Sequence, residues 1–107
     1  MQQTQLESIR SILVEQRNFR VDQLAQLHVP GPHGPLSSTI PEIFGELAAG
    51  ARAALHDVQA ALWRMDAGTY GLCTTCGGQV GSERLEVLPQ AALCMTCQRA
   101  AAPVASE

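Results

Sequence analysis

From residue 4 to residue 27 the chain runs without glycine or proline, and apolar side chains return at three- and four-residue steps: Leu6, Ile9, Ile12, Leu13, Phe19, Leu24 and Leu27. Arg10, Glu15, Arg17 and Asp22 fall between them. This period predicts an amphipathic helix over about 4–27, with one face turned to a core. The stripe is imperfect, because Gln16, Arg20 and Gln23 lie in it or beside it. Such a helix is marginal alone and needs a partner. Residues 28–38 carry three prolines and two glycines and cannot continue it.

A second helix is expected to start after Thr39. Thr39 followed by Glu42 has the spacing of a capping box, and Pro41 suits a first turn whose amides have no helical partner. Phe44, Ala48, Ala51, Leu55, Val58, Leu62 and Met65 then alternate steps of four and three, a heptad pattern. Gly45 and Gly50 each weaken this helix by about 1 kcal/mol relative to alanine. The small residues at 48 and 51 allow close approach of another helix, and Gly68 fits the stop. Two amphipathic helices joined by the loop at 28–38 predict an antiparallel hairpin, roughly 43 Å long at 1.5 Å per residue. The expected fold class is mainly α: an antiparallel helical hairpin (coiled coil) carrying a small head. The hairpin spans 1–67, the head 68–100, and 101–107 reads as a disordered tail.

Composition limits what the head can be. In 107 residues with 4% aromatics and nine glycines, a large apolar core is not available, and a lobe this small commonly depends on a metal or disulfides. The formal charge is −3 and all seven basic residues are arginines, which argues against a phosphate-tracking surface. No stretch has the roughly 20 apolar residues of a membrane span. No basic region followed by an apolar run opens the chain, so the cytoplasm is the expected compartment. There, cysteines in close pairs point to metal.

The four cysteines form such pairs. Cys73-x-x-Cys76 and Cys94-x-x-Cys97 are separated by seventeen residues, the spacing of a structural zinc site. Two intervening residues let a tight turn aim both sulfurs at one ion, and Gly77-Gly78 supplies the pliant backbone. Four thiolates close a tetrahedral shell with no position left for substrate, so the expectation is one structural Zn2+. Redox-active pairs, disulfides and an iron–sulfur cluster are the competing readings. Tyr70 and Leu72 are expected to pack around the metal, and Trp63, beside Leu62, to cover the junction of rod and head. His28 and His56 have no second ligand at useful spacing and read as surface residues. No catalytic set emerges: Ser37 and Ser38 near His33 and Glu42 lie in a loop without a fixed base or oxyanion hole, and an enzyme is not expected.

Ala61-Leu62, Arg64-Met65, Gly68-Thr69-Tyr70-Gly71-Leu72-Cys73, Cys76-Gly77, Arg84-Leu85-Glu86, Pro89, Ala91 and Cys94-x-x-Cys97 together resemble the signature of the DksA/TraR-type C4 zinc-finger proteins, over about residues 61–98. The resemblance implies a regulator that binds bacterial RNA polymerase, inserting its coiled coil into the secondary channel, and not sequence-specific nucleic acid. It also implies acidic residues at the tip and, in some members, basic residues that bind guanosine tetraphosphate. This chain departs from both. Pro30-Gly31-Pro32-His33-Gly34-Pro35 stands where the acidic tip motif belongs, and no carboxylate lies between Asp22 and Glu42. Gly50, Asp57, Leu88 and Gln98 stand where the nucleotide-binding members are basic. A monomeric polymerase-binding regulator lacking the acidic tip activity and the nucleotide site is therefore expected, with Pro32, His33, Arg84 and Glu86 as partner-binding candidates. Holding the head against the helices is an equal alternative role for Arg84 and Glu86. The alternatives are a zinc-ribbon adaptor whose hairpin takes another protein or its own copy, and a nucleic-acid-binding zinc ribbon.

Overall fold

A computed structural model describes residues 2–27 and 41–101, with the side chains of 41–44 left aside. Helix α1 spans Gln3–Leu27 and helix α2 Pro41–Ala67, within a residue or two of the bounds the periodicity predicts. Two short helices follow, α3 (Ser82–Val87) and α4 (Met95–Ala101). Pro41 opens α2, as its missing amide hydrogen allows. Thr39, and the side chains of Glu42 and Phe44, lie outside the described residues, as do Pro32 and His33 of the expected tip and residues 102–107 of the expected tail.

The long helices pack antiparallel, and their core lies in the half nearer the head: Ile9 and Leu13 of α1 against Val58, Ala61 and Leu62 of α2. Leu13 and Ala61 are fully buried. Val14, Met65 and Tyr70 pack on the margin. Ala48, Ala51, Val58 and Leu62 are buried as the heptad reading requires, with Leu55 half-buried between them.

The α1 seam differs from the expected stripe. Ile12 is 43% and Phe19 60% exposed, whereas Gln16, Arg20 and Gln23 are half-buried. The face turned to α2 follows 9, 13, 16, 20, 23 and 27, alternating steps of four and three. A stripe that also includes 12 and 19 is wider than the seam of a two-helix contact. Toward the tip the half-buried α1 positions 16, 20 and 23 are polar, and Arg20 Nη1 donates to Gln23 Oε1 at 2.9 Å within the helix.

Gly68 stops α2 as expected. At φ +81° it takes the left-handed conformation that residues with a Cβ avoid. Its N–H donates to the Met65 carbonyl at 3.2 Å and the Thr69 N–H donates to the Arg64 carbonyl at 2.9 Å, closing a Schellman motif. Trp63 does not cover the junction. It is 68% exposed, because the roughly 100° turn from buried Leu62 carries it to solvent while Arg64 is brought inward.

The head is built on a second cluster of Cys73, Val80 and Leu85, flanked by Tyr70, Ala91, Leu93, Cys94 and Cys97. Tyr70 touches both clusters, and its hydroxyl donates to the Pro89 carbonyl at 2.8 Å. Arg64, 8% exposed, reaches the Gln90 carbonyl at 3.5 Å beside it. Outside the joint, the Arg10–Asp66 ion pair at 3.0 Å ties α1 to the end of α2. Among the described residues no helix is long and apolar enough to cross a membrane.

Candidate metal centre

Two local structures deliver the four sulfurs. The first is a small loop in which Leu72 and Gln79 form an antiparallel bridge. Inside it the Cys73 N–H donates to the Gly78 carbonyl at 2.6 Å and the Gly77 N–H donates to the Cys73 carbonyl at 2.9 Å. Gly77, at φ +78°, makes that reversal possible. Leu72, expected to pack round the metal, is 42% exposed, since alternation along the bridged segment turns Cys73 inward and its neighbour out. The second structure is the start of α4, where Cys94 stands just before the helix and Cys97 lies in its first turn. The Cys97 N–H donates to Cys94 Sγ at 3.4 Å, the bond a helix-capping side chain makes with the third residue of a first turn. The Thr74 N–H donates to the Ala92 carbonyl at 2.9 Å and clamps the two structures together.

Cys73, Cys76, Cys94 and Cys97 thereby bring their Sγ atoms within 4.8 Å of one another. All four are free thiols, so neither close pair is a disulfide. Cys76 Sγ and Cys94 Sγ are 3.9 Å apart, which matches the tetrahedron edge of about 3.8 Å implied by zinc–sulfur bonds of about 2.3 Å. The Gly78 N–H donates to Cys76 Sγ at 3.4 Å, so backbone amides already face two of the sulfurs.

The electrostatics also fit a cation. Backbone amides of Cys76 and Cys94 hold the Cys73 thiol down at about 6, while hydrogen bonding to the sulfurs of Cys73 and Cys94 pushes Cys97 up to about 12. Sulfurs this crowded share protons, and four thiolates require a positive charge among them. A divalent ion supplies that charge and fills every position with protein ligands, leaving no open site for a substrate.

Residues 68–101 match the family model described as the prokaryotic dksA/traR C4-type zinc finger. The head is thus similar to the DksA/TraR-type C4 zinc finger over these residues. Its four cysteines are arranged to hold one structural zinc. A curated relative, the RNA polymerase-binding transcription factor DksA of Haemophilus influenzae, is 36% identical over 47 residues, 44% of this chain and 32% of the relative, so the match spans about a third of that protein. The likeness to a solved structure is broader. Transcription factor DksA2 from Pseudomonas aeruginosa superposes with a TM-score of 0.66 at 26% identity, covering 92% of this chain and 84% of that one. The DksA/TraR likeness thus takes in the hairpin as well as the finger.

Of the partner-binding candidates, Arg84 and Glu86 lie among the described residues, and each makes a different contact. Arg84 is bound within the finger, its Nε donating to the Leu93 carbonyl at 3.3 Å. Glu86 is exposed and accepts from Gln5 Nε2 of α1 at 3.3 Å. Three of the four positions expected to correspond to basic residues of nucleotide-binding members do meet: Asp57, Leu88 and Gln98 line one groove of about 250 Å3, with Arg84 beside them. Gly50 is not among its lining residues. Sequence reasoning gave no role to Gln90, which lines this groove and a second one, nor to Arg64, which is buried in the joint. The burial of both depends on how the finger docks.

Proposed function

We propose that this chain is a regulator of bacterial transcription that binds RNA polymerase directly, as a cytoplasmic monomer and without enzymatic activity. The observation that carries the reading is the combination of a DksA/TraR-type finger with a hairpin that superposes on DksA2 over 92% of the chain. The curated relative is by its name RNA polymerase-binding. In this reading hairpin and finger enter the secondary channel as one unit, and Pro32 and His33 at the tip approach the catalytic centre in place of carboxylates. The chain then occupies the channel without the tip chemistry of its acidic relatives. Glu86 contacts the polymerase beside the joint, and Arg84 acts there by holding the Leu93 segment in place. Guanosine tetraphosphate is not bound, because the groove aligned with that site offers the carboxylate of Asp57, the apolar Leu88 and the neutral Gln98.

The competing reading, an adaptor for a non-polymerase partner, is favoured by two observations: the family model covers only 68–101, and the α1 seam carries Gln16, Arg20 and Gln23. Equilibrium binding to core polymerase from the same host separates the two. The regulator reading predicts binding that a channel-occupying factor displaces. Binding that survives saturating competitor, or no binding, would transfer the hairpin to another partner.

A further inference from the structure

Two grooves flank the meeting of hairpin and finger, and Asp57 and Gln90 line both. The larger, about 460 Å3, is lined by the apolar Ile12, Phe19 and Val58 and by the acidic Glu15 and Asp57. Among the described residues neither carboxylate pairs with a cation, the one ion pair being Arg10–Asp66. The arginines that border these grooves are already engaged. Arg20 donates to Gln23 and lies over the Phe19 ring at 5.2 Å, while Arg84 donates to the Leu93 carbonyl. Gln90 presents the complementary shortage, since its side-chain oxygen is buried with no hydrogen-bond donor. A buried acceptor left unpaired costs about 1–3 kcal/mol, which a donor entering from the groove relieves after a small rotation of the amide.

We propose that this junction is a receptor for an arginine side chain presented by a partner protein. The alkyl stem lies on Ile12 and Val58, the guanidinium plane meets the exposed part of Phe19, and its fork of N–H groups reaches the Asp57 carboxylate and the Gln90 amide oxygen. Two acceptors beside an exposed aromatic ring match a planar guanidinium better than a compact ammonium. The site rests on the groove alone. Only the name of the partner rests on the polymerase reading.

The test is a titration of the isotopically labelled full chain, zinc-loaded, with Nα-acetyl-arginine N-methylamide, followed by nuclear magnetic resonance. Saturable shifts are expected at the Gln90 side-chain amide and at Ala54 and Val58. The lysine analogue should bind more weakly and the neutral citrulline analogue should leave the signals in place. Asp57→Asn, a change at an exposed residue, should weaken the arginine probe about fivefold, the equivalent of one lost charge-assisted hydrogen bond. Equal shifts with citrulline, an unaltered Asp57→Asn titration, or no saturable shift at the solubility limit of the probe would each overturn the proposal. No polymerase is present, so this result and the polymerase-binding result fail independently.

Discussion

In the head-side half of the hairpin, Ile9, Leu13, Val58, Ala61 and Leu62 bury one another along two long helices. In the finger, the buried cluster is three residues, one of them the ligand Cys73. The first region is an ordinary packed interface, stable in proportion to the apolar area it removes from water. The second has too little apolar surface to offset the entropy of ordering its loops and relies on the metal. Tyr70 belongs to both clusters, so the regions are coupled at one joint. Metal loss should therefore dissolve the finger and leave the rod standing, whereas a cavity in the rod should leave the metal bound.

Cys73→Ser should have the largest effect. It removes the most buried ligand, and apparent zinc binding in small fingers is on the order of 10 kcal/mol. Near-complete loss of zinc with most helical circular dichroism kept is the expected result. Leu13→Ala attacks the other region and should cost about 3 kcal/mol in denaturant unfolding, with zinc content unchanged. Replacing Gln16 and Arg20 by leucine makes the tip-side seam apolar and should raise stability by about 1 kcal/mol. Hydrogen-exchange protection in residues 16–27 and 45–56 should rise with it, toward that of the head-side half.

Tyr70→Phe, which loses the hydrogen bond to Pro89, should cost about 1 kcal/mol and loosen the joint. Tyr70 is the single tyrosine, so phenolate absorbance reads it alone. Burial pushes its pKa from 10.0 up to about 12, with nearby Arg64 opposing. A group whose folded pKa is raised contributes its stability below the unfolded value and loses it as pH climbs through the folded one. The joint should therefore weaken between pH 10 and about 12, and unfolding should return the titration to about 10. Arg10→Ala, at an exposed ion pair, should change stability by less than about 1 kcal/mol.

The two regions also differed in how much of them the sequence made legible. Local rules reached far: the bounds of α1 and α2 and the stop at Gly68 depend on residues close in the chain, and the convergence of the four cysteines follows from the spacing of two close pairs. The α1 seam departs from the apolar stripe because its strict heptad steps run through Gln16 and Arg20, leaving Ile12 and Phe19 outside. Trp63 was misplaced because being next to Leu62 in sequence means facing another way on a helix. Leu72 was misplaced for the corresponding reason on a bridged strand-like segment. The joint was not legible, since the Tyr70–Pro89 bond and the burial of Arg64 and Gln90 depend on how the finger docks, to which no short-range pattern points.

Segment-resolved hydrogen exchange on the zinc-loaded chain, before and after chelation, tests the central claim most directly. The account predicts one zinc per chain. On chelation, protection should collapse across 70–98 and persist in α1 residues 8–14 and α2 residues 57–63. Retained protection in the finger, or loss in both regions together, would contradict the division into a metal-held head and a packing-held rod.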